Sequence, residues 1–98
     1  MLKKGVSVNG IKGEIVIALI ISSNIFHKYG MDMIVTSCTD GNHGRGSLHY
    51  VGYAVDLRIR HLSKSQLDLI LRDIKEALTI EYDIVLEPTH IHIEYQPK

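Results

Sequence analysis

Two short segments alternate strictly between apolar and polar residues, and they constrain the fold more than anything else in the chain. In Tyr53 to Arg60, Tyr53, Val55, Leu57 and Ile59 point one way, and Ala54, Asp56, Arg58 and Arg60 the other. In His90 to Tyr95, Ile91, Ile93 and Tyr95 share one face, while His90, His92 and Glu94 share the opposite one. A period of two belongs to β-strands, whose successive side chains leave opposite sides of the sheet. Each strand therefore needs an apolar layer on one side only. The polar faces carry Asp and His, residue types that bind metals and move protons.

The remaining elements supply that layer. From Glu14 to Tyr29 the chain is apolar on nearly every side; sixteen residues closed by Gly30 favour a buried helix over a strand. Met31 to Cys38 follows the stop, is rich in β-formers and reads as a strand. Thr39 to Gly46, with three glycines, Asp40 and Asn42, reads as a loop. Ser63 followed by Gln66 makes a capping box. Leu67, Ile70, Leu71, Ile74, Ala77 and Leu78 then recur at helical spacing, so a second, amphipathic helix starts there. Tyr82 to Glu87 and His90 to Tyr95, joined through Pro88 and Thr89, predict an antiparallel hairpin. The sum is an α+β fold, a small and mainly antiparallel sheet with two helices packed on one side.

At 98 residues there is room for one domain, residues 1–98. Eleven Lys and Arg balance eleven Asp and Glu. This balance argues against nucleic acid as a partner, since such a binder needs a broad positive field. The single cysteine, Cys38, excludes an internal disulfide framework and reads as a small core residue. The apolar run Ile15 to Ile21 is far short of the roughly 20 residues that span a bilayer, so no membrane insertion is expected. Met1 to Lys4 opens like a signal peptide, but Lys12 and Glu14 adjoin the run and no small-residue cleavage pattern follows. The expectation is synthesis in the cytoplasm without a signal peptide.

Asp56 lies on one polar strand face and His90 and His92 on another, with His49 seven residues before Asp56 at the exit of the glycine-rich loop. Two neutral imidazoles and one carboxylate are a usual protein set for catalytic zinc, with bonds of about 2.0–2.2 Å and a fourth position for water. The absence of a thiolate cluster argues against a closed structural zinc site. The competing reading of His90 and His92 is a plain solvent-exposed strand face.

The run Ser47-Leu48-His49-Tyr50-Val51-Gly52-Tyr53-Ala54-Val55-Asp56, followed by His90-Ile91-His92, resembles the D-alanyl-D-alanine carboxypeptidase family of zinc peptidases. That family includes phage endolysins and a Hedgehog signalling-domain branch. The wording from Asp40 to Tyr50 looks closest to Hedgehog, and the ending Leu86 to Tyr95 looks like small phage-encoded members. The resemblance covers roughly Thr36 to Tyr95 and implies a Hedgehog/DD-peptidase-like fold.

The resemblance also implies a set of roles. His49, Asp56 and His92 would hold Zn2+, with His90 in place of His92 where an E-x-x-H arrangement operates, here Glu87 with His90. Glu87 would be the base acting on the zinc-bound water, His90 or His43 would steady the oxyanion, and Ser47 would support the ligand loop. Arg45 and Arg58 are the cations available for a substrate carboxylate, which Arg pairs in bidentate fashion. The implied activity is hydrolysis of a peptide bond in bacterial cell-wall peptidoglycan, as a D-Ala-D-Ala carboxypeptidase or an endolysin. The implied site of action is the wall, the periplasm or a phage particle, with a phage lysis or virion protein as partner. The alternative is a non-catalytic zinc-binding interaction module of the Hedgehog type.

Overall fold

The computed structural model describes residues 1–38 and 53–96. In chain order these form α1 (Gly13–Lys28), β1 (Val35–Ser37), β2 (Ala54–Arg58), α2 (Lys64–Ala77), β3 (Tyr82–Leu86) and β4 (His90–Tyr95). Two helices pack with one four-stranded sheet of order β1-β2-β4-β3, antiparallel at every pairing. Because β2 and β3 both run antiparallel to β4, they are parallel to each other. The segment β2-α2-β3 is thus a β-α-β crossover with β4 slotted between its strands. No described helix is long and apolar enough to cross a membrane.

Helix ends follow local chemistry. Gly30 adopts φ 74°, open to a glycine without steric cost. There the Gly30 N–H donates to the His27 carbonyl and the Met31 N–H to the Phe26 carbonyl, each at 3.0 Å, a Schellman ending that satisfies two orphan carbonyls of α1. At the start of α2 the Gln66 N–H donates to Ser63 Oγ at 3.1 Å, and the Ser63 N–H donates back to Gln66 Oε1 at 2.9 Å. The capping box expected from the sequence is present, a feature of about 1 kcal/mol.

The core lies between the helices and one sheet face. Val55 and Leu57 of β2 stand opposite Ile93 and Ile91 of β4, and all four are fully buried with Ile15, Phe26, Ile70 and Ile74 of the helices. Cys38 joins them, fully buried. Deleting Phe26 to Ala is the kind of change that costs about 3–5 kcal/mol.

Three elements differ from the sequence expectation. Helix α1 buries the stripe Ile15, Ala18, Ser22 and Phe26, while Val16, Ile17 and Ile20 on its other side are exposed. Apolar composition all round cannot say which face meets the sheet. On α2, Ala77 is exposed, outside the buried line of Ile70, Ile74 and Leu78. The strand expected over Met31 to Cys38 is only Val35–Ser37, and the chain start takes part in its pairing. Leu2 bridges Val35 in parallel, Lys3 N–H donates to the Val35 carbonyl at 2.8 Å, and Val35 N–H donates to the Met1 carbonyl at 2.9 Å. The register of β1 on β2 also slips, with Val35 opposite Leu57 but Ser37 opposite Asp56, a bulge beside the polar face of β2.

The helices are tied by one carboxylate. Asp73 on α2 accepts from the Tyr29 hydroxyl at 2.5 Å, from Lys28 Nζ at 3.2 Å and from the Arg72 guanidinium at 2.9 Å. These donors hold the Asp73 carboxyl down at about 2, the Tyr29 hydroxyl first and Arg72 next.

Candidate metal centre

The register of β2 on β4 assembles the site. Asp56 stands directly opposite His92, Arg58 opposite His90, and Ala54 opposite Glu94, all on the face away from the core. Side chains directly opposite across an antiparallel pair are about 4.5–5.5 Å apart at Cβ, close enough for short polar groups to touch. Because β4 lies between β2 and β3, its backbone groups pair on both edges and its polar face is held at a fixed position.

Asp56, His90 and His92 each offer a donor atom, and the three atoms lie within 4.8 Å of one another. His92 Nδ1 is 2.8 Å from Asp56 Oδ1, and His90 Nε2 is 3.6 Å from the same oxygen. The other nitrogen of each ring is also engaged. His92 Nε2 donates to Glu94 Oε1 at 2.7 Å, and His90 Nδ1 is 3.0 Å from Thr89 Oγ1. Glu94 is itself braced by the Gln96 side-chain amide.

Two carboxylates flank one imidazole, and both His92 nitrogens donate only in its protonated form. The Asp56 hydrogen bond accordingly raises the His92 pKa above its usual value, with Glu94 adding to the effect and burial opposing it. The two flanking carboxylates thus favour the protonated ring.

The donor set fits a divalent cation. Bonds of about 2.1 Å in a tetrahedron place neighbouring ligand atoms about 3.4 Å apart. The His90–Asp56 distance of 3.6 Å is already near that edge, and the His92–Asp56 contact of 2.8 Å needs to open modestly. A cation held by Asp56, His90 and His92 would take the place of the proton on His92 Nδ1, leaving Nε2–H to donate to Glu94. A carboxylate on the far nitrogen fixes the ring and strengthens the imidazole as a ligand.

Comparison with models of known protein families and with curated proteins returns no match. The assignment of the site therefore stands on its own side chains.

Of the residues expected from the sequence, Asp56, His90 and His92 are brought together. His43, Arg45, Ser47 and His49 lie outside the described residues. Both histidines reach the Asp56 carboxylate, so either can serve as ligand. Glu87 sits at the β3–β4 turn, half-buried, its N–H donating to the His90 carbonyl at 2.8 Å, and it is not part of the converged group. Arg58 shares the face with Asp56 and borders a cavity of about 500 Å3 beside His90. Two contributors were not expected from the sequence as site residues, Glu94 and Thr89. Glu94 had a legible signal, because a carboxylate two residues after a candidate ligand in a strand shares its face.

Proposed function

We propose that this chain is a zinc-dependent peptidase that hydrolyses a peptide bond in bacterial cell-wall peptidoglycan. The observation carrying the reading is the convergence of Asp56, His90 and His92 on the outer face of β2 and β4. The sequence run Ser47 to Asp56 and the late His90-Ile91-His92 support it through their resemblance to the D-alanyl-D-alanine carboxypeptidase family. Two imidazoles and a carboxylate suit zinc among the common divalent ions.

Bound there, zinc would acidify a water and polarise the scissile carbonyl. The chain's own residues do the rest. Asp56 and His92 hold the ion with His49 or His90 as third ligand, and Glu94 keeps the His92 ring in place. Glu87 takes a proton from the attacking water and returns it to the leaving amine. His90, where it is not a ligand, or His43 donates to the developing oxyanion. Arg58, with Arg45 and Ser47, takes up the substrate carboxylate and positions the chain. Action at the wall or periplasm, or within a phage particle beside a lysis or virion protein, belongs to the same proposal.

A second reading is favoured by one observation: Glu87 stands outside the converged group. On that reading the chain is a zinc-binding interaction module without turnover. Mass spectrometry of defined muropeptides after incubation with the zinc-loaded protein separates the two. The peptidase reading expects a product whose mass names the bond, lost in Glu87→Gln at unchanged zinc content. Fully loaded protein that releases nothing from any muropeptide leaves the binding module, and a chain that takes up no zinc removes both.

A further inference from the structure

We propose that the cavity beside His90 is a subsite for an acidic peptide segment, held by Lys3, Arg58 and Arg60. These three cations line one cavity of about 500 Å3 with the hydroxyl-bearing Thr36 and Thr89. Among the described residues, no acidic side chain lines it. None of the three cations makes an ion pair with a described residue, whereas Lys28, Lys64 and Arg72 each do. In a chain of zero net charge, three unneutralised cations around one concavity are a local excess, and such an excess draws anions.

The cavity is built by the fold rather than by sequence proximity. Lys3 arrives because the chain start pairs with Val35. Arg58 follows Asp56 along the polar face of β2, Arg60 lies in the turn just beyond that strand, and Pro88 and Thr89 reach the cavity from the β3–β4 turn. Its volume falls within the range of sites for small organic ligands, about 300–1,000 Å3, far more than a bare oxyanion fills. Ile59 and Pro88 add apolar wall, which suits the stems of acidic side chains.

The position connects it to the metal centre. Arg58 is the cross-strand partner of His90. The His90 ring stands between the two regions, its Nε2 3.6 Å from Asp56 Oδ1 and its Nδ1 3.0 Å from Thr89 Oγ1. A peptide whose carboxylates sit in the cavity therefore presents its neighbouring backbone at the ion. Rows of cations on one side and of carboxylates (Asp56, Glu94) on the other orient it in one direction. This subsite names the substrate class of the proposed peptidase and rests on that reading for its purpose, while binding is measured apart from turnover.

The test is calorimetry on the full chain, with and without zinc, using two N-acetylated, C-amidated peptides, Ala-Glu-Glu-Ala and Ala-Gln-Gln-Ala. Wild type is expected to bind the Glu peptide at least about tenfold more tightly, a preference that shrinks at high salt. The double variant Lys3→Gln/Arg60→Gln should lose most of that preference, and the charge-conserving Lys3→Arg/Arg60→Lys should keep it. Equal affinity for the two peptides, or a preference that survives the double Gln variant, overturns the proposal. So does inorganic phosphate binding the zinc-free chain as tightly as the Glu peptide, which makes the cavity a simple oxyanion site. Zinc uptake without acidic preference removes the subsite alone; acidic preference without zinc uptake removes the peptidase reading alone.

Discussion

Asp56 and Asp73 are equally hidden carboxylates with opposite surroundings. Their side chains are 13% and 10% exposed. Asp73 sits between the helices against the Tyr29 hydroxyl, Lys28 and Arg72, and its bonds to the two basic side chains raise their pKa values and fix their protons. Asp56 sits on the sheet against His90 and His92, imidazoles whose ring nitrogens can bind either a proton or a metal ion. The first arrangement is satisfied once and has nothing to exchange. The second is satisfied by a proton that a cation can replace, and that exchangeability separates a binding centre from a structural tie.

The largest expected effect is on ion capture. Asp56→Asn should weaken zinc binding by about a hundredfold or more, because a ligand is lost rather than an outer partner. Asp73→Asn should leave zinc affinity unchanged. Competition against a chelating indicator measures both, and an equal response of the two variants would erase the distinction.

Glu94 is the next lever. Glu94→Leu should reduce zinc affinity about 10- to 100-fold, the range for outer-shell partners. Glu94→Gln, whose amide oxygen still accepts from His92 Nε2–H, should restore most of it. Nitrogen NMR of the His92 ring in the loaded protein should show the ion on Nδ1 and the proton on Nε2. An ion found on Nε2 would remove Glu94 from that role.

The pH response sharpens the contrast further. In the zinc-free chain the raised His92 pKa means that its contribution to stability is full below about pH 6.5, the unfolded value, and is lost as pH rises through the higher folded value. Zinc bound at Asp56, His90 and His92 would reverse the slope, since metal ligands must be unprotonated. Melting temperatures at pH 6 and pH 8 should therefore change in opposite directions with and without zinc. Parallel slopes would count against the ligand set.

The smallest effect belongs to Asp73, whose carboxyl is held at about 2. Its contribution is full above the ordinary carboxylate range and is lost only as pH falls through that low value. Asp73→Asn should lower stability at neutral pH and flatten the acid limb of urea melts below about pH 4. An unchanged acid limb would mean that the helix tie adds nothing.

Much of this centre was legible before any coordinates. Alternation in Tyr53 to Arg60 and His90 to Tyr95 sorted each strand's faces, and Ser63 with Gln66 marked the start of α2. The pairing of Asp56 with His92 was not, because it depends on β4 sliding between β2 and β3, a matter of strand order that no local pattern encodes. Lys3 was equally hidden, since only the bridge of the chain start to Val35 brings it near Arg58. The exposed side of α1 was unreadable for the opposite reason. Ile17 and Ile20 look like core in sequence, and only the packing of Ile15, Ala18 and Phe26 leaves them outside.

The insertion of β4 between two strands made before it has a consequence for biogenesis. Asp56 leaves the ribosome 36 residues ahead of the His92 that it must meet. Until β4 emerges, β3 has no strand to pair with and Asp56 has neither histidine beside it. Pairing β4 with β2 is a long-range event of the slow kind. The candidate metal centre and the sheet are thus completed by the same strand, and a premature stop before His90 would leave a product with neither.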